Sequence, residues 1–369
     1  MNICLIGDGL ISLTLAKTLI NNKIKVFMYS KNHKKIFNDN RTIGITSDNL
    51  SFFQKEIIKL SKNIFWDIHE IEIYNEQNKK EKILEFSEKN KTLFSIIKNN
   101  HLYNLLINSL KKNKNFNQII IKNNFFYKKI INNKKYDLII NCDATNEISK
   151  KYFYKRFLKN YQSTAYATII NHNKTKNKKA TQIFTKYGPI AFLPISESKT
   201  SVVFSVKDEK IKKNSNLSFS ILEKLIFDNN KKYNIKSINR FEKFKLKSNV
   251  LRNYYFKNIL AFGDILHQIH PLSGQGFNMT LRDIKVFIDC LKYRESLGLP
   301  IDNSIFKEFE NKTKHLNFIF SSGNDFIYEF FNYDNIYVNK LSKKLFNYLN
   351  NSIYFKKFAV KLANKGLII

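Results

Sequence analysis

Residues 259–283, ILAFGDILHQIHPLSGQGFNMTLRD, decide how the rest of the chain is read. Four apolar residues, 259–262, read as a buried strand, and Gly263 and Asp264 end it. Pro271, Ser273, Gly274 and Gly276 make the next segment rich in turn formers. A helix over 277–291 follows, with Phe277, Leu281, Ile284, Phe287, Ile288 and Leu291 at helical spacing. A strand, an acidic turn and a glycine-rich loop opening a helix build a seat for an electron-rich ligand. The glycines let backbone N–H groups approach closely, and the helix N-terminus adds partial positive charge.

The first residues repeat this logic. Residues 2–6 read as a buried strand, Gly7-Asp8-Gly9-Leu10-Ile11-Ser12 as a turn, 13–20 as a helix and 25–29 as a second strand. This is a βαβ nucleotide-binding unit in which Gly7 permits the tight turn and Gly9 allows close approach to a pyrophosphate. Ser12 takes the third glycine position. Ser30 stands where an acidic residue is expected to hold a ribose hydroxyl, which weakens the adenosine end.

Between these two segments, residues 68–74 and 83–86 alternate in polarity and read as strands of a second sheet, joined by a charged hairpin around Asn78. Residues 93–106 read as helix, and 136–141 as an apolar strand leading into Cys142-Asp143-Ala144-Thr145-Asn146. Strands at 161–170, 181–184, 201–206 and 241–246, with a helix at 219–229, predict a mostly antiparallel sheet whose apolar face could roof a cavity. From Ile305 onward the pattern is helical. Leu341, Leu345, Leu349, Phe355, Phe358 and Leu362 lie near helical spacing among Lys340, Lys343, Lys344, Lys356, Lys357 and Lys361. This stretch reads either as a basic amphipathic surface for an anionic membrane or as a terminal helix packed on the core.

With 369 residues and 43% hydrophobic content, the chain can bury a large core. The formal net charge is +33. The arginines number only six (Arg41, Arg156, Arg240, Arg252, Arg282 and Arg294) and the lysines are dispersed. That composition argues against nucleic acid, whose readout favours clustered Arg. Cys4, Cys142 and Cys290 have no metal or CxxC spacing and read as small core residues in a reducing compartment. No metal ligand set is expected. Met1 leads straight into a strand, and no uncharged apolar run approaches a membrane span. The expected location is cytoplasmic, or peripheral on the inner face of a membrane.

Gly263-Asp264-x-x-His267, Pro271, Gly274-Gln275-Gly276-x-Asn278 and Asp283 together resemble the second flavin motif of the class A FAD-dependent aromatic hydroxylases, and within them the ubiquinone-biosynthesis hydroxylases. The resemblance continues through Arg41-Thr42-Ile43-Gly44-Ile45-Thr46-x-x-Asn49, Asn99, Asp143 and Gly188-Pro189-Ile190-Ala191-Phe192-Leu193-Pro194. Asn100 and Ala144 depart from it, replacing an Arg and a Gly. It implies an α/β fold with α+β elements: a Rossmann-like FAD-binding domain of the para-hydroxybenzoate hydroxylase type, an inserted, mostly antiparallel substrate sheet and C-terminal helices. The expected divisions are 1–66, 92–150 and 251–292 for FAD, 67–91 and 151–250 for substrate, and 293–369 for the helices.

The implied cofactor-binding residues are Gly7, Gly9, Ser12, Arg41, Asp143, Gly263, Asp264, Gly274, Gln275, Gly276 and Asn278. Asp264 would hold the ribityl chain, Asp143 would serve the pyrophosphate and pyridine-nucleotide docking, and the Gly274–Gly276 turn would face the pyrimidine side of the flavin. The implied activity is hydroxylation of a polyprenylated, lipid-soluble phenol in ubiquinone biosynthesis: NAD(P)H reduces FAD, O2 adds at flavin C4a to give a hydroperoxide, and OH passes to the ring. The alternatives are a flavoprotein reductase or oxidase of the same fold, and a non-catalytic scaffold among quinone-biosynthesis proteins. His267 and His270 either shuttle a proton or structure the loop, so no catalytic residue is assigned.

Overall fold

The structure is a computed structural model that describes residues 1–31, 40–76, 82–87, 91–121, 125–209, 219–230, 232–271, 274–332 and 348–366. Ser273, the hairpin tip around Asn78, and Lys340, Leu341, Lys343, Lys344 and Leu345 lie outside the described residues. Strands are numbered in chain order: β1 (Asn2–Ile6), β2 (Lys25–Lys31), β3 (Thr42–Thr46), β4 (Phe65–Ile68), β5 (Glu70–Asn75), β6 (Lys82–Ser87), β7 (Phe94–Lys98), β8 (Phe116–Ile121) and β9 (Leu138–Asn141). They continue with β10 (Arg156–His172), β11 (Lys179–Thr185), β12 (Gly188–Pro194), β13 (Lys199–Lys207), β14 (Ile235–Ile238), β15 (Glu242–Leu251), β16 (Tyr255–Phe256), β17 (Ile259–Ala261) and β18 (His267–Gln268).

The first sheet runs β16-β17-β9-β1-β2-β8. Its four pairings among β17, β9, β1, β2 and β8 are parallel, and only β16 is antiparallel. Parallel strands are buried on both faces, which is why β1 and β9 are nearly continuous runs of Ile, Leu and Cys. The helices Leu10–Asn21 and Gly276–Ser296 pack on one another, and Leu13, Leu19, Leu281, Phe287 and Ile288 join the same core. The sheet's C-terminal edge therefore gathers the ends of β1, β2, β9 and β17, the place where open parallel sheets bind ligands.

The second sheet runs β18-β15-β10-β13-β12-β11-β5-β6, with β14 pairing β10. Its ladders are antiparallel except β11 with β5. Alternating residues such as Phe192, Val202 and Phe204 point to one face, where the helix Phe219–Asn229 covers them. The fold class and the mostly antiparallel inserted sheet agree with the expectation.

Two local expectations need correction. The run 68–74 is not one strand. Ile68 ends β4 in a small third sheet, β3-β7-β4, while Glu70 begins β5 in the large one. His69 marks the crossing, its N–H bonded to Lys178 O (2.9 Å). The run 93–106 is not all helix either: Phe94–Lys98 is a strand held between β3 and β4, and the helix begins at Asn99.

Candidate active site

Gly7 leaves β1 with φ +111° and brings the chain under Asp143. A Cβ at Gly7 would stand 3.3 Å from both Asp143 N and Ser12 Oγ. Gly7, Ser12 and Asp143 are thus one cluster at the ends of β1 and β9. The N-cap of the helix Leu10–Asn21 is Gly9, which offers no side chain to the first N–H groups, and the space in front of its Cα is open to 4 Å. Those N–H groups face outward as a ready anion site. Asp143 accepts from Thr145 N (2.8 Å) and Thr145 Oγ1 (2.6 Å), and Lys31 Nζ stands 3.8 Å from its other oxygen. At the end of β2, Ser30 is buried and accepts from Gln118 Nε2 (3.2 Å). Cys142 follows β9 rather than lying within it, and burial pushes its thiol up to about 12.

Gly263 brings together two segments far apart in sequence. Its φ is +66°, and a Cβ there would lie 2.7 Å from Ile11 Cγ2. The Gly-Asp turn therefore rests directly on the glycine-turn helix. Asp264 keeps solvent access while the protein crowds it from several sides. That crowding raises its carboxyl above the usual carboxylate range, opposed by His267 and Arg41. Arg41 itself extends toward the large sheet, with Nε 3.9 Å from Glu242 Oε2 and its guanidinium 4.8 Å from the Phe244 ring.

The loop before Gly276 is held from the other side. Gly274 has φ +61°, and its N–H donates to Pro271 O (3.2 Å). Asn278 is buried, and both ends of its amide are used within the protein. Its Oδ1 accepts from Thr46 N and Asn49 Nδ2, each 3.0 Å, and its Nδ2 donates to Gly44 O (2.9 Å) and Gly274 O (3.3 Å). It staples β3 to the loop. Gln275 is also buried, yet its Oε1 has no hydrogen-bond partner among the described residues. Among the described residues, nothing beyond the adjoining chain lies within 4 Å of a Cβ built at Gly274 or Gly276.

Behind the loop, His267 and Asp283 form a buried pair with Nε2 2.5 Å from Oδ2. Asn317 Nδ2 donates to the other Asp283 oxygen at 3.0 Å. Asn317 escaped the sequence reading, although a signal exists. Thr313, Asn317, Ser321 and Asn324 place polar groups on the buried face of the helix Ser304–Asn332. His270 is buried between the rings of Tyr161 (4.8 Å) and Tyr328 (4.2 Å), and desolvation pushes its pKa down to about 3. Elsewhere Glu70, Glu72 and Glu85 gather within 4.8 Å of one another. Lys82 and Lys179 lie 2.7 and 2.9 Å from Glu72 Oε1, which makes the group an ion-pair network.

The fold recurs among solved structures: p-nitrophenol 4-monooxygenase from Pseudomonas putida matches with TM-score 0.77 at 10% identity, covering 100% of this chain and 98% of that one. Klebsiella pneumoniae HpxO, solved with FAD and uric acid, matches with TM-score 0.74 at 11% identity over 100% of this chain and 97% of that one. In sequence, the chain is 30% identical over 149 residues to Escherichia coli 3-demethoxyubiquinol 3-hydroxylase, covering 40% of this chain and 38% of that protein. It is 24% identical over 221 residues to a mitochondrial ubiquinone biosynthesis monooxygenase of Dictyostelium discoideum, covering 51% of this chain and 45% of that one. The chain thus spans less than half the length of these relatives. The squalene epoxidase family model matches residues 135–364, more than half of the chain and inclusive of Asp143, Asp264 and the Gln275 loop, and the chain belongs to that family.

Proposed function

We propose that the chain is an FAD-dependent monooxygenase that hydroxylates the ring of a lipid-soluble polyprenylated phenol in ubiquinone biosynthesis, with NAD(P)H as electron donor and O2 as co-substrate. One observation carries the reading: the glycine turn at Gly7–Ser12 and the Gly263–Asp264 turn, far apart in sequence, meet where Gly263 rests on Ile11. The groups present fit a ligand that is anionic at one end and a polar ring at the other. The uncapped N-terminus at Gly9 and the open space before it suit a pyrophosphate. The unpartnered Gln275 Oε1, beside the open backbone of Gly274 and Gly276, suits a ring that carries an N–H.

When bound, FAD supplies the redox and oxygen-activating chemistry. The chain's own residues bind and orient it. Asp264 would accept from the ribityl hydroxyls, Arg41 and Asp143 would flank the seat, and Ser12 would close the turn. Asn278 acts by positioning, since its amide is engaged by Gly44, Thr46, Asn49 and Gly274. The His267–Asp283 pair fixes the Gly-Asp segment against the helix Gly276–Ser296. Residues 1–66, 92–150 and 251–292 would make the FAD domain, with β18 reaching across to β15, 67–91 and 151–250 the substrate domain, and 293–369 the C-terminal helical region. The ubiquinone-pathway relatives support the substrate class, and a lipid-soluble substrate places the enzyme at a bilayer surface or beside other quinone-biosynthesis proteins. No helix among the described residues is long and apolar enough to cross a membrane.

The test is aerobic turnover with NADH or NADPH and a polyprenylated phenol. Hydroxylated product formed in step with O2 uptake is expected. Nicotinamide oxidation without product would mark a reductase or oxidase, and neither would mark a scaffold.

A further inference from the structure

A groove of about 250 Å³ lies between the helix Ile353–Lys365 and a wall formed by Ser47, Asp48 and residues 91–93. Lys357, Lys361 and Lys365 line it at i, i+4 and i+8 of that helix, and Lys91 faces them from the wall. Asp48 is the only carboxylate in the lining. The helix, IYFKKFAVKLANK, contains no acid at all. Lys357, Lys361 and Lys365 have no ion-pair partner among the described residues. Like charges four apart on a helix repel, so this row gains most from an anion in the groove.

The same arc of the helix carries a second feature. Ile353, Tyr354 and Phe358 are 66%, 88% and 59% exposed. At 3.6 residues per turn they lie on the face that carries Lys357 and Lys361. A soluble phosphate has no use for them. A bilayer does: lysines meet headgroup phosphates while aromatic and aliphatic side chains enter the boundary just below. We propose that this groove binds the headgroup phosphate of an anionic phospholipid and docks the protein on a bilayer.

The groove abuts the candidate active site. Ser47 directly follows Thr46, which holds Asn278 Oδ1. Arg282, on the helix opened by Gly276, donates to Ala363 O (3.3 Å) and packs 3.1 Å from where a Cβ at Gly366 would lie. A bilayer docked here would sit against the elements that carry the Gln275 loop. The inference deepens the bilayer placement proposed above but stands apart from the flavin chemistry.

The test is flotation of the full chain with vesicles of phosphatidylcholine alone or with added phosphatidylglycerol, with flavin content measured in parallel so that the two readings fail separately. Replacing Lys357, Lys361 and Lys365 together by Gln is compared with the same change at Lys236, Lys243 and Lys247, which matches the loss of net charge. Each lysine near an anionic surface contributes roughly fivefold, so the groove variant should bind phosphatidylglycerol vesicles about a hundredfold less tightly. The control variant should bind nearly as wild type. Tyr354→Ser with Phe358→Ser should weaken vesicle binding while the lysines remain. Equal flotation of the two triple variants would overturn the groove. Displacement by millimolar inorganic phosphate, with the Tyr354/Phe358 variant floating as wild type, would overturn the lipid as its occupant.

Discussion

At Gly263 two constraints coincide: a left-handed backbone with φ +66°, and Ile11 Cγ2 at 2.7 Å from any Cβ. The strain of the first and the overpacking of the second add to about 2–4 kcal/mol. Gly263→Ala should lower the urea midpoint accordingly, whether or not any ligand is present, and an unchanged midpoint would show that neither constraint acts on a side chain there. His270 makes a different prediction. Its folded pKa, pushed down to about 3 by burial, lies below the unfolded value near 6.5. The unfolded chain therefore binds the extra proton first, and stability falls as pH drops below about 6.5. Between pH 7 and pH 5 this one group costs about 2 kcal/mol. His270→Gln should remove that part of the acid sensitivity, measured as the difference in unfolding free energy between the two pH values. At this scale the sequence was most informative where the backbone itself is the requirement, as at Gly7 and Gly263. It was least informative for Asn317, whose task exists only because Asp283 is buried opposite it.

The helix Gly276–Ser296 carries the proposed flavin loop, which is held by Asn278 and by the Gly274–Pro271 turn rather than by side-chain capping. Among the described residues nothing beyond the adjoining chain lies within 4 Å of a Cβ at Gly276, so Gly276→Ala should fold with little change in stability. With FAD bound, the same Cβ should disturb the backbone donors beside the ring. Losing one net hydrogen bond of about 0.5–1.5 kcal/mol would make the two-electron potential more negative by about 10–30 mV. Reductive titration of loaded wild type and variant reads this directly, and equal potentials would reduce the loop to a structural turn. This helix was legible from spacing because its apolar residues face one core. Residues 93–98 were not, since Leu93, Ile96 and Ile97 fit helical spacing equally well. Only pairing with β3 and β4, distant in sequence, makes that run a strand. The break at His69 has the same origin: two sheets compete for one apolar run.

Across the whole molecule, a parallel sheet gathers its strand ends at one edge and an antiparallel sheet carries a covered apolar face. The helix Ser304–Asn332 braces both through Asn317 to Asp283 and Asn324 to His270 O (3.3 Å). This division was readable in order along the chain because each sheet has its own pattern, continuous apolar runs in one and alternation in the other. How β18 stitches the Gly-Asp segment to β15 was not, because two-residue strands leave no periodicity. We propose that this assembly is a seat for FAD. Its most direct measurement is the flavin content of the purified chain, by visible absorption and by release on denaturation, for wild type beside Asp264→Ala. One FAD per wild-type chain, freed intact by denaturation, is expected. Loss of the Asp264 acceptor should weaken binding roughly ten- to a hundredfold, so that the variant sheds flavin on gel filtration. A colourless wild-type protein that takes up no FAD on titration, or an Asp264→Ala variant that holds it as tightly, would contradict the account.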